Sequence, residues 1–165
     1  MKIINDASDK FKDMQDEVCG FALDFLREIN AIENEVFNRS QELRRQNLEA
    51  GIPKHQVGPG ENELWDEYEQ RLGELLKPAC TEKLMKRGFG GSFGSPVKYW
   101  YIDGECTVNF IMKSAKKAVI ETHFVAGTPQ MHKLVLKPED GKWLFDEVYY
   151  GFESEPDKWY IDSLR

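Results

Sequence analysis

The chain has 165 residues, of which 41% are hydrophobic and 12% aromatic, enough to bury a core without a disulfide or a metal ion. Its 29 acidic and 22 basic residues give a net charge of −7, which argues against nucleic-acid binding because phosphate contacts need clustered Lys and Arg. No apolar run reaches the roughly 20 residues that span a bilayer, and the start turns polar too early for a signal peptide, so we expect a soluble cytoplasmic protein without a membrane partner.

The three cysteines, Cys19, Cys80 and Cys106, are far apart and odd in number. This pattern fits neither a disulfide framework nor paired metal ligands, so it predicts reduced, buried thiols. We expect no metal ion and no cofactor.

The first half of the chain has the apolar period of helices. From Ser8 to Ala50 apolar residues recur in steps of three and four, which predicts a long amphipathic helix with a bend or break, ended by Gly51. Residues 51–60 hold three Gly and two Pro and predict a loop. A second helix is predicted over 61–76, with Trp65 among its inward residues, and a short third helix from Thr81 to Gly88.

After Pro96 the pattern changes to β-branched and aromatic residues. Strands are predicted at about 97–102, 106–112, 117–125, 131–137 and 142–150, and their short connections predict antiparallel neighbours. Helices followed by strands indicate a single α+β domain, with a helical half at about 8–88, a sheet half at about 96–152 and a docked tail at 153–165.

This order of elements resembles the cone-shaped nuclear transport factor 2-like fold, in which N-terminal helices pack on a curved antiparallel sheet. Leu75-Leu76-Lys77-Pro78 before Thr81-Glu82-Lys83-Leu84 looks like the entry to its third helix. The segment from Lys133 to Val148, with Gly141-Lys142-Trp143 at its turn, resembles its closing hairpin.

Within that superfamily, the chain looks most like immunity proteins of bacterial polymorphic toxin systems. The similarity rests on the acidity, the length, the Trp-bearing tail and the segment Pro96-Val-Lys-Tyr-Trp-Tyr-Ile before the sheet. It implies a small cytoplasmic protein that binds and blocks a cognate toxin domain. It supplies no catalytic motif, so no catalytic residue is predicted.

The acidic and aromatic residues offer candidate contacts with a basic partner. The candidates are Glu61, Glu63, Asp66 and Glu67 in the second helix, Trp100, and Glu153, Glu155, Asp157 and Trp159 in the tail. Two plainer interpretations stay open. Acidic runs are often only solvated helix faces, and Trp100 could be buried in the core.

A cavity between sheet and helices would instead suit a small-molecule-binding protein or an isomerase or cyclase. Its candidate residues are Asp103, His123 and Asp146, with His123 as a general base. A structural role for His123 in the sheet is the alternative. His132, in the next predicted strand, could face His123, but the pair lacks a third ligand for zinc. A non-catalytic ligand-binding or homodimerisation module is the remaining hypothesis.

Overall fold

The computed structural model describes all 165 residues. Its helices are α1 (Gln15–Glu49), α2 (Glu61–Leu76) and α3 (Glu82–Arg87), with 3-10 helices at Asp9–Met14 and Trp100–Asp103. Its strands are β1 (Lys2–Asn5), β2 (Thr107–Ser114), β3 (Lys117–Ala126), β4 (Thr128–Glu139), β5 (Lys142–Phe152) and β6 (Tyr160–Asp162). Helices dominate the first half and strands the second, which is the expected α+β architecture.

The helices end at the residues that the sequence offers for stopping them. Gly51 and Gly88 follow α1 and α3 with φ of 86° and 82°, a backbone region that glycine enters without a steric cost. The Thr81 hydroxyl accepts a hydrogen bond from the Leu84 amide at 3.3 Å and caps α3. These observations confirm the three helix ends predicted from Gly51, Thr81 and Gly88.

The first helix differs from its prediction in continuity. The predicted break is absent, since α1 is one helix of 35 residues. The expected first residues of that helix, Asp9–Met14, form a separate 3-10 helix. The buried stripe of α1, which includes Val18, Leu26 and Val36, recurs at the spacing of one helical face and packs into the core.

The strands form one open, mixed sheet in sequence order from β1 to β6. All neighbouring strands are antiparallel except β1, which runs parallel to β2. The antiparallel pairing predicted for the strands at about 106–112, 117–125, 131–137 and 142–150 is therefore confirmed, whereas the parallel strand β1 was not predicted from the sequence. Register shifts between Met112 and Ser114 and between Val135 and Leu136 mark irregularities that bend the strands locally.

One face of the sheet, called the inner face below, packs against the helices. Phe110, Ile120, Leu134 and Val148 lie side by side across β2 to β5 and are each at most 1% exposed. Burial of such a side chain contributes about 1.5–3 kcal/mol. The alternate residues of these strands form the outer face.

The segment predicted as a strand at 97–102 is not one. Its residues lead into the 3-10 helix at Trp100–Asp103, with Tyr99 fully buried. The Asn30 side chain in α1 donates to the Tyr99 carbonyl at 2.9 Å and accepts from the Tyr99 amide at 3.1 Å. Asn30 pairs with both backbone groups of Tyr99, and the Ile102 amide donates to the same carbonyl at 3.2 Å, so neither group is free to pair with a neighbouring strand.

Candidate functional site

Two of the acidic residues predicted for partner binding are turned toward α1. The Glu67 carboxylate accepts hydrogen bonds from both terminal nitrogens of Arg39, at 2.6 and 2.8 Å. Glu61 pairs with Arg44 at 3.3 Å. The Arg39 guanidinium, by its hydrogen bonds, lowers the pKa of the Glu67 carboxyl. These carboxylates therefore connect α1 and α2, and their charge is largely balanced within the chain.

The other acids of α2 point into solvent. Glu63 and Asp66 are exposed, as are Glu69 and Glu74, which belong to the same acidic run of the sequence. None of the four takes part in an ion pair. We call these four residues the acidic face of α2, because their charge is not balanced by a basic side chain of this protein.

Trp65 lies beside this face, and the prediction that it points inward is wrong. The side chains that face the core are Leu64, Tyr68 and Leu72, and Trp65 follows Leu64 by one residue, which rotates it about 100° from Leu64. Trp65 is 37% exposed, and its ring lies 4.3 Å from that of Phe93. An exposed tryptophan on a helix is typical of a contact surface.

The acidic tail residues occupy the surface at the end of the sheet. Nδ1 of His123 lies 3.1 Å from a carboxylate oxygen of Glu153, and Glu155 pairs with Lys158 at 3.3 Å. Asp157 is exposed and makes no ion pair. Of the three predicted tail acids, Asp157 therefore has the least compensated charge.

Trp159 anchors the tail on the outer face of the sheet. The ammonium group of Lys133 lies 3.9 Å from the centre of the Trp159 ring, a cation–π contact. The chain passes so close at Lys158 that a Cβ added to Gly151 would meet the Lys158 carbonyl oxygen at 2.9 Å. Trp159 is half-buried, so its contact with a partner would be limited to its exposed part.

Trp100 is 40% exposed, so the alternative that it is buried in the core is wrong, and its contact with a partner stays a prediction. It lines an open groove of about 720 Å³ together with Val125 and Glu153. Edge-on packing against Phe124, with ring centres 6.4 Å apart, fixes its indole.

The three residues proposed for a catalytic cavity lie in separate surroundings. Asp103 is exposed and pairs with Arg27 at 2.8 Å. His123 is on the outer face, where its second ring nitrogen lies 3.3 Å from the Asn109 side-chain nitrogen. Asp103 and His123 therefore contact different side chains, and these contacts do not bring the two residues together in one cavity.

Asp146 is buried but its charge is already compensated. Lys137 lies 2.9 Å away, Lys83 lies 3.6 Å away, and the Thr81 hydroxyl donates at 2.9 Å. Burial by itself raises the pKa of the Asp146 carboxyl. The hydrogen bonds from Lys137 and Thr81 lower this pKa by more than burial raises it, so the net shift is downward. Asp146 is thus an ionised link between β5 and α3.

Packed aromatic side chains cover the inner face at Phe124 and His132. The Tyr101 and Phe124 rings are parallel within 5° and 3.7 Å apart. The Tyr101 hydroxyl accepts from Thr122 at 3.0 Å and lies 2.7 Å from Nδ1 of His132. Burial lowers the pKa of His132 to about 4, so its imidazole is neutral near pH 7 and accepts from Tyr101.

His132 and His123 do not face each other. Thr122 is the register partner of His132, and Met131 is the partner of His123. Neighbouring residues of a strand point to opposite faces, so the two imidazoles lie on opposite sides of the sheet. No group of three or more His, Cys, Asp or Glu side chains is arranged to hold a metal ion.

The sequence interpretation missed a buried ion pair between α1 and the end of the chain. Glu33 is 1% exposed, and its carboxylate accepts from the amides of Gly94 and Lys98 at 3.1 and 3.0 Å. It also pairs with the Arg165 guanidinium at 2.6 Å. The signal was present, because Glu33 stands four residues after Ile29 and three before Val36, on the apolar stripe of α1.

The same guanidinium fixes the loop at 88–96. Nε of Arg165 donates to the Tyr68 hydroxyl at 2.9 Å, and that hydroxyl donates to the Ser92 carbonyl at 3.0 Å. Arg165 also donates directly to the Ser92 carbonyl. Burial raises the pKa of Tyr68, which keeps its hydroxyl protonated as a donor. This network positions Phe93, and through it the exposed Trp65.

Comparisons of the chain with protein-family models, with curated proteins and with solved structures gave no match. None of the helices combines the length and apolar character needed to cross a membrane.

Proposed function

We propose that this protein is a non-catalytic binding protein of the immunity class, which neutralises a bacterial toxin domain in the cytoplasm by covering part of its surface. The observation that carries the proposal is the acidic face of α2, where four exposed carboxylates have no basic partner within the chain. Unbalanced charge of one sign steers a partner of opposite charge and favours its correct orientation. The partner is therefore a basic toxin domain.

The surroundings of the ionisable residues support a binding role over catalysis. Asp103 and Asp146 are held in ion pairs by Arg27 and Lys137, and His123 lies on the outer face of the sheet. A general base needs hydrogen-bond reach to a bound substrate. The stacked rings of Tyr101 and Phe124 are buried, so they fill space in the core on the inner face that a bound substrate would otherwise need.

The finer fold class belongs to the same proposal. Three helices precede the main strands, and the β2 to β5 strands follow one another in antiparallel order with two register shifts. These features support a cone-shaped nuclear transport factor 2-like arrangement, to which the short strands β1 and β6 add open edges.

The proposal is tested with the toxin domain encoded beside this chain. Purified together, the two should elute as a one-to-one complex in size-exclusion chromatography. Reversal of two charges on the acidic face, Asp66→Lys with Glu69→Lys, should weaken the complex by about tenfold or more, because like charges then meet across the interface. The loss should shrink as salt is added.

The matched control reverses two exposed acids elsewhere, Asp13→Lys with Glu28→Lys. This variant has the same net charge as the first one, so any difference between them reports position and not overall charge. If the two chains fail to associate, or if both double variants bind as tightly as the wild type, the proposed binding surface is wrong.

A further inference from the structure

Trp65 and Phe93 form an aromatic pair at the surface, which we call the aromatic step. Their ring centres are 4.3 Å apart with planes 32° from parallel. Phe93 in turn packs edge-on against the buried Tyr68, at 5.2 Å. The aromatic step is thus supported from below, while Trp65 keeps 37% of its surface exposed.

The backbone that carries Phe93 is fixed before any partner arrives. The Gly94 amide donates to the buried Glu33, and the Ser92 carbonyl accepts from the Tyr68 hydroxyl. Residues on both sides of Phe93 are therefore held by side chains of the core. Preorganisation of this kind reduces the ordering cost of binding, which makes the aromatic step a favourable contact point.

Carboxylates lie next to the aromatic step, and the nearest arginines are already engaged. Asp66 follows Trp65 in the sequence and is exposed, and Glu69, one helical turn beyond Trp65, lies near Gly91. The arginines of this region make ion pairs within the chain: Arg39 with Glu67, Arg71 with Glu35, and Arg165 with Glu33. The charge beside the aromatic step is therefore negative and complements a cation.

We propose that the aromatic step, with Asp66 and Glu69, binds an arginine side chain of the partner. A guanidinium stacks on an aromatic face and at the same time donates paired hydrogen bonds to a carboxylate, whereas a lysine ammonium lacks the planar fork. This inference rests on the proposed function in one respect only, namely that the arginine belongs to the basic toxin domain.

The binding chemistry is tested with acetylated tetra-arginine amide, followed by NMR of the four tryptophan indole N–H signals at low ionic strength. A Trp65→Phe variant assigns the Trp65 signal. We expect that signal to move most, while those of Trp100, Trp143 and Trp159 serve as internal references. Acetylated tetra-lysine amide should bind about two- to fivefold more weakly, as loss of the stacking contribution implies.

Two charge variants separate this site from general acidity. Asp66→Asn with Glu69→Gln should reduce the Trp65 response to tetra-arginine by about fivefold. Glu155→Gln with Asp157→Asn, on the tail, should leave it unchanged. A Trp65 signal that does not move, or an equal response in both variants, overturns the proposal.

The toxin domain distinguishes this inference from the proposed function. Trp65→Ala should weaken the complex about thirtyfold, the loss typical of an aromatic hot spot, with an unchanged circular dichroism spectrum as the folding control. If the complex forms and Trp65→Ala binds equally well, the inference fails and the proposed function stands. If tetra-arginine binds at Trp65 but the toxin domain does not bind at all, the proposed function fails and the arginine site stands.

Discussion

Glu33 and Arg165, which are 132 positions apart, form a buried ion pair of 2.6 Å between the middle of α1 and the segment after β6. Their side chains are 2% and 11% exposed. The Glu33 carboxylate also accepts hydrogen bonds from the backbone amides of Gly94 and Lys98, in the connection between α3 and the sheet. One carboxylate thus connects the helices, the 88–96 loop and the end of the chain.

We expect Glu33→Gln to lower the free energy of unfolding by about 3 kcal/mol. The NH₂ group of the glutamine would face the N–H donors of Gly94, Lys98 or Arg165, and the Arg165 guanidinium would lose its buried counter-ion. Urea unfolding followed by circular dichroism measures the change. Glu28→Gln, an exposed position on the same helix, is the control and should alter stability by less than about 0.5 kcal/mol. Equal stability of the two variants would contradict a structural role for the ion pair.

The Asn30 amide should be needed to hold the segment around Tyr99. Asn30→Ala leaves the buried Tyr99 amide without a partner, while the Tyr99 carbonyl keeps only the Ile102 amide at 3.2 Å, so we expect a loss of about 1–3 kcal/mol in the free energy of unfolding. Asn34→Ala, one turn further along α1 and exposed, is the matched control. A similar, small loss in both variants would show that Tyr99 does not depend on Asn30.

His132 should make the protein less stable as the pH falls. Its pKa is about 4 in the folded protein against an ordinary value of 6.5, because burial and the positive Lys98 disfavour the imidazolium, partly offset by Asp162. Between about pH 6.5 and 4, His132 is therefore protonated in the unfolded chain but neutral in the folded protein. The stability present above pH 6.5 is lost as the pH falls through that range, by up to about 3 kcal/mol.

The comparison of variants isolates this contribution from other acid-titrating groups. His132→Asn should flatten the decline in unfolding free energy between pH 6.5 and 4. The wild type, measured under the same conditions, is the reference. A wild-type slope in His132→Asn would mean that His132 is not the titrating group.

The thiols should be unreactive in the folded protein. Cys19, Cys80 and Cys106 are all free and buried, and burial raises the pKa of Cys19 and Cys80 to about 12. Since the thiolate is the reactive form, we expect negligible reaction with an aromatic disulfide reagent at pH 8 and three reactive thiols in urea. Rapid modification of even one thiol in the native state would contradict the burial described above.

The elements that were predicted correctly have strong local signals. Strands β2 to β5 follow from period-two alternation and from turns such as Asp140-Gly141, while the helix ends follow from Gly51, Thr81 and Gly88. These residues determine structure through their immediate neighbours.

The missed features depend on partners that are distant in the chain. Strand β1 is defined by pairing with β2 about a hundred residues later, and β6 by pairing with the end of β5 across the tail. The outward turn of Trp65 depends on Phe93, from a loop. Such contacts are invisible to periodicity, although Glu33 on an apolar stripe did mark a buried polar site.

The most direct measurement of the central claim is growth of bacteria that express the neighbouring toxin domain under an inducible promoter. Coexpression of the wild-type chain should restore growth, and the acidic-face variant Asp66→Lys with Glu69→Lys should restore it less well at equal protein levels. The control variant Asp13→Lys with Glu28→Lys should protect like the wild type. Cells that die equally with and without the wild-type chain would contradict the account.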